Sequence, residues 1–67
     1  MYILANIQAL CEKKGITINE LEQKLGFGKS TIRKWDSVSP TIDKLQAVAN
    51  FFHVKVDRLL RKPEAKQ

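Results

Sequence analysis

Apolar residues recur along this chain every three or four positions and never in strict alternation, a spacing that predicts helices and no strands. Ile3, Ile7 and Leu10 fall at i, i+4 and i+7, with Leu4 and Cys11 on the neighbouring stripe. This first helix stops at Gly15, a C-terminal cap preceded by Lys13 and Lys14, whose charge suits the negative end of the helix dipole. Thr17 then offers an N-cap with Glu20 three residues on, the capping-box spacing. The second helix is short, carries Leu21 and Leu25, and ends at Gly26. A third is expected from about Gly28 or Lys29 to Trp35 or Asp36, with Ile32 and Trp35 facing inward. The stretch "DSVSPT" is a loop by composition, with Pro40 at the start of the next helix and Ser39 or Thr41 as its cap. The fourth helix has the cleanest stripe, Leu45, Val48, Ala49 and Phe52, and His53 ends it. Asp57 is expected to help cap a fifth helix holding Leu59 and Leu60, and Pro63 to stop it. The fold class is therefore all-α, five short helices over residues 1–62, with a polar tail at 63–67 that suits a free end or a linker.

Two glycines two residues apart, in "LGFGKSTIRKWD", mark a break between helices rather than the middle of one. Two short helices joined by a tight turn, each with an apolar face toward a common core, make a helix-turn-helix at about residues 17–36. Leu21 and Leu25 would meet Ile32 and Trp35, Gly26 would take the turn with positive φ, and Phe27 would plug the corner.

Charge changes the picture next. Twelve Lys and Arg against seven Asp and Glu give a net +5, and the distribution matters more than the sum. Lys24, Lys29, Arg33 and Lys34 lie between Lys24 and Trp35 with no acid among them, while the acids stand before and after. A local basic surface of this kind attracts polyanions.

Other chemistry is thin. A chain of 67 residues makes one domain and buries roughly 60% of its unfolded surface, which leaves no room for a deep catalytic cleft. His53 is the one histidine, so neither a metal cluster nor a Ser-His-Asp set can form around a second. Cys11 reads as a small buried hydrophobe, and Glu20 and Glu22, at i and i+2, point in different directions. Neither an enzyme nor a cofactor, metal or small-molecule ligand is expected. No apolar run is long enough to span a membrane, the opening "MYILANIQALCEKKG" lacks the basic start and cleavage site of a signal peptide, and a lone cysteine suits a reducing cytoplasm.

The stretch "TINELEQKLGFGKSTIRKW" resembles the helix-turn-helix of phage repressors, Cro proteins and related bacterial regulators, and "SPTIDKLQAVANFFHVKVDRLL" resembles that family's following helices. The likeness runs from about Ile3 to Leu60. It implies a lambda-repressor-like domain that places its third helix in the DNA major groove, commonly as a homodimer on a two-fold operator. It leaves two forms open, a complete Cro-like protein or the front domain of a longer repressor. Three departures stand out. Glu22 occupies a crowded helix contact where the family commonly has Ala, and has to reach solvent or a partner from there. Cys11 stands where Arg is common, so an ion pair with Asp36 cannot form. The loop from Trp35 to Pro40 is short and lacks the usual glycine, which weakens the case for phosphate contacts from it.

On this footing Lys29, Ser30, Arg33 and Lys34 are the candidate base-contacting residues, since 29 and 33, like 30 and 34, are four apart on a helix. Arg33 suits guanine, Lys29 or Lys34 suits guanine or phosphate, and Ser30 suits either. The same residues would also make a plain solvated face. Thr17 and Asn19, where a helix start presents free N–H groups, are candidate phosphate contacts, joined by Thr31, Ser37 and Ser39. Ile18 looks too exposed for core and suits a thymine methyl. The resemblance puts dimer contacts at the junction of the last two helices, with Phe51, Val54, Val56 and Arg58 as candidates. The competing class is a protein-interaction module of the same fold, an antitoxin or a partner of another regulator.

Overall fold

The computed structural model describes residues 2–61, and within them every regular element is helical. Helix α1 spans Ile3–Lys14 and α2 spans Ile18–Leu25; a single turn of 3-10 helix covers Arg33–Asp36; α3 spans Ile42–Phe52 and α4 spans Val56–Leu60. The expected fourth and fifth helices are thus α3 and α4. The expected stop at Pro63 and the polar tail lie outside the described residues.

Local chemistry sets most boundaries. At α2 the Thr17 hydroxyl accepts from the Glu20 N–H at 3.1 Å while the Glu20 carboxylate accepts from the Thr17 N–H at 3.1 Å, a complete capping box. Thr41, not Ser39, caps α3, its hydroxyl accepting from the Lys44 N–H at 3.3 Å. Asp57 does not cap α4. Lys55 holds the cap position without a side-chain bond, and Asp57 lies within the first turn, paired with Arg61 at 3.0 Å. Helices α1, α2 and α3 all end on a left-handed residue, Gly15 (φ 76°), Gly26 (φ 74°) and His53 (φ 59°), whose N–H turns back to the last carbonyls.

Helix α1 runs through the centre, packing against α2, the 3-10 turn and α4, while α3 packs on α4. Its Ile3, Ile7 and Cys11 join Leu21, Ile32, Trp35, Leu45, Val48, Ala49 and Leu59 in one core. Ile18 belongs there too: it is only 7% exposed, against the expectation of a DNA-facing side chain, because it shares a face of α2 with Leu21 at i, i+3. Asn6, also buried, sends its side-chain NH2 to the Leu59 carbonyl at 2.8 Å and the Arg61 carbonyl at 2.7 Å. Those carbonyls belong to the end of α4, where helical partners run out, so one amide joins the first helix to the last.

Candidate nucleic-acid interface

The site begins where α2 ends. Gly26 reverses the chain, its N–H and that of Phe27 returning to the Gln23 and Glu22 carbonyls at 3.2 and 2.8 Å. The Phe27 ring fills the corner 6.1 Å from Trp35, tilted by 59°, and Lys44 places its ammonium 5.8 Å from the Phe27 ring centre.

Beyond the corner the chain departs from the expected α-helix. Residues 29–32 form turns, Ser30 is left-handed at φ 63°, and helical geometry is confined to Arg33–Asp36 in its tighter 3-10 form. Glu22 and Thr31 hold the backbone in this shape. The Glu22 side chain, 2% exposed, accepts from the Ser30 N–H at 3.2 Å and from the Ile32 N–H at 2.8 Å, one bond to each carboxylate oxygen. A carboxylate held away from water needs such donors, each bond to a charged acceptor contributing about 1.5–3 kcal/mol. Thr31 adds a local competitor to helix formation, its hydroxyl donating to the Gly28 carbonyl at 2.7 Å. Of the two fates open to Glu22, reaching solvent or a partner, it has the second, and the partners are main-chain groups.

The result is a segment anchored on one side and open on the other. Ile32 is fully buried and Trp35 nearly so, as expected, whereas Lys29, Ser30, Arg33 and Lys34 are all exposed. The left-handed Ser30 means that these four do not stack with regular α spacing, yet they share the outward side of one segment. Thr17 and Asn19 are exposed at the start of α2, with the Thr17 hydroxyl engaged by its cap. Thr31 is half-buried, Ser37 and Ser39 are exposed, and a groove of about 250 Å³ has Thr31, Lys34, Ser39, Thr41 and Lys44 among its lining residues.

At the opposite end Phe51 packs edge-on against Phe52 at 5.1 Å, with the Lys14 ammonium 5.6 Å from its ring centre. Phe51, Val54 and Val56 are half-buried against the domain's own core, and Arg58 is exposed. Burial pushes the Cys11 thiol above its ordinary range, and the negative charge of Glu20 adds to the rise. Among the described residues no group of His, Cys, Asp or Glu is placed to hold a metal ion, and no helix is long and apolar enough to cross a membrane.

Two residues shape the molecule in ways that sequence spacing does not disclose, Glu22 in this region and Asn6 between α1 and α4. Glu22 departs from the family pattern, but nothing in its spacing points to the main-chain groups it holds. Asn6 gave no signal at all, because its bonds span more than fifty residues.

Compared with known proteins, the chain matches a family model, helix-turn-helix, over residues 7–59. No curated protein and no solved structure matches it. With the turn at Gly26, the anchored Ile32 and Trp35 and the match over most of its length, the chain belongs to the Cro/C1-type helix-turn-helix family of phage repressors and related DNA-binding transcription regulators.

Proposed function

We propose that the protein is a sequence-specific double-stranded DNA-binding regulator of the phage repressor or Cro type, acting in the cytoplasm as a homodimer on a two-fold site. The arrangement of residues 29–35 carries this conclusion. Ile32 and Trp35 lock the segment to the core, while Lys29, Ser30, Arg33 and Lys34 face outward, and no acid lies between Lys24 and Trp35 to oppose them. Glu22, the acid just before, is buried and bonded, so its carboxylate stays off that surface. Arg33 is the candidate for bidentate contact with guanine, and Lys29, Ser30 and Lys34 for neighbouring bases or phosphate. Thr17 and Asn19 would hold a phosphate at the start of α2, with Thr31 and Ser39 on the groove and the exposed Ser37 just after the 3-10 turn as further contacts. Phe51, Val54, Val56 and Arg58 would meet the second copy.

Selection of binding sites from a random duplex pool tests this, run beside a Lys29→Ala, Arg33→Ala, Lys34→Ala triple variant. The expected result is an enriched two-fold site, half-sites about one helical turn apart, that the variant loses. Enrichment that the variant keeps, or none with the wild type, would refute a reading role for this segment. One observation favours a second function. Val38 is 57% exposed and Ile42 is 73% exposed, side chains that suit contact with another protein. An apolar partner would stay bound as salt rises, where DNA would be released.

A further inference from the structure

Glu22 is buried, charged and outside the set of residues that would touch DNA, yet it is bonded to the backbone of the segment that carries them. Among the described residues no ion pair offsets its charge; its carboxylate is held by the N–H groups of Ser30 and Ile32. Those two groups flank Thr31 and stand at the point where the chain leaves the turn for the 3-10 helix. Glu22 itself sits on α2, whose first residues carry Thr17 and Asn19. A single side chain therefore ties the element expected to grip phosphate to the segment expected to read bases. Burial of Ile32 and Trp35 turns that side of the segment inward but is non-directional and puts no bond on the backbone of Lys29 to Thr31. Two directional bonds, to the N–H groups on either side of Thr31, fix the backbone orientation there as well.

We propose that Glu22 is the positioning residue of the recognition segment, setting the orientation of Lys29, Ser30, Arg33 and Lys34 relative to α2 and hence the sequence preference of the domain. This rests on the DNA-reading function above. The carboxylate is matched to its task because it offers two acceptors and no donor. A glutamine keeps one acceptor and turns an NH2 toward the other N–H, so it can satisfy only one of the two groups. An alanine satisfies neither.

The test uses Glu22→Gln and Glu22→Ala, with Val48→Ala as a variant that weakens the core on α3 and leaves the Glu22 carboxylate in place. Amide hydrogen exchange is followed by NMR on the DNA-free proteins, and binding is compared on the selected site and on random duplex, at a temperature where all are folded. The Ser30 and Ile32 amides are expected to be protected in the wild type, to lose that protection in Glu22→Ala while Leu21 keeps its own, and to fall between in Glu22→Gln. The ratio of specific to random binding is expected to drop about tenfold or more in Glu22→Ala, less in Glu22→Gln, and to hold in Val48→Ala even as its melting temperature falls. Rapid exchange of both amides in the wild type would overturn the proposal, as would a Glu22→Ala protein that keeps the wild-type preference. A wild type that prefers no site at all would remove the regulator function and the specificity role together. A wild type with a preferred site that survives Glu22→Ala would remove only the role of Glu22.

Discussion

Replacing Asn6 with Ala deletes both bonds from its amide, leaving the Leu59 carbonyl buried without that donor and freeing the Arg61 carbonyl. The expected cost is about 1–3 kcal/mol, read as a lower melting temperature, with Asn6→Asp worse because a carboxylate would face two carbonyl oxygens. An unchanged melting temperature would mean that Leu59 alone holds α4 to α1. Cys11 titrates in a direction with its own consequence. Its folded pKa is raised above the ordinary 9.0, by burial first and Glu20 second, so the unfolded chain loses the thiol proton before the folded one does. That contribution to stability is complete below pH 9.0 and is lost as pH climbs from there through the raised folded value. Alkylation by iodoacetamide is accordingly expected to lag well behind that of a free thiol at neutral and mildly alkaline pH, and equal rates would show that Cys11 is open to solvent. These residues differ in how far the sequence disclosed them. The burial of Cys11 follows from its place on the α1 stripe. Ile18 looks too exposed for core in the sequence yet is buried, and its i, i+3 relation to Leu21 is the signal that points inward. Asn6 and Glu22 act on backbone groups brought near only by folding, and no residue spacing encodes that.

Helix ends carry a second lesson, since three of them solve the same problem with two residue types. Gly15, Gly26 and His53 are all left-handed, a conformation that costs an L-residue about 1–2 kcal/mol and glycine almost nothing. A Cβ at Gly26 would meet nothing within 4 Å, so Gly26→Ala isolates backbone strain from crowding and is expected to lose about 1 kcal/mol. His53→Gly is expected to run the other way, gaining about 0.5–1 kcal/mol once the greater freedom of glycine in the unfolded chain is deducted. Chemical denaturation of both variants measures the pair, and equal losses would show that the His53 side chain supplies a contact that outweighs its strain. The ends of α1, α2 and α3 were legible for this reason: Gly, the capping box and Thr41 act within four residues of the boundary they set. The recognition segment was not. Its glycine break, its basic residues and its inward Ile32 and Trp35 were all visible, but a regular helix was expected from that spacing. The left-handed Ser30 interrupts that helix, and a carboxylate from the preceding helix, together with a threonine bonding its own turn, holds the backbone groups around it. Local pattern located the element, and tertiary bonds decided its form.

At the scale of the whole molecule, charge and shape act in the same direction. Three of the basic side chains, Lys29, Arg33 and Lys34, stand where the chain turns outward after Gly26 with no acid among them, and the acidic side chains lie mostly at other positions or, for Glu22, inside. A domain so polarised meets DNA through phosphates first, which makes affinity depend on salt: log affinity should fall against log salt by ~0.9 for each phosphate neutralised. The two kinds of contact then separate by substitution. Lys29→Ala, if Lys29 meets a phosphate, should flatten that slope by ~0.9 and weaken binding to the preferred site and to random duplex alike. Arg33→Ala, if its guanidinium pairs with guanine, should cost ~1–3 kcal/mol on the preferred site, relax one base position there, and leave random duplex nearly as well bound. Titrations of both variants across a salt series decide between these assignments. Equal losses on both duplexes for Arg33→Ala would move Arg33 to the phosphate set. A salt slope near zero for the wild type would mean that the basic segment does not meet DNA at all, and would turn attention to the exposed Val38 and Ile42 as the working surface.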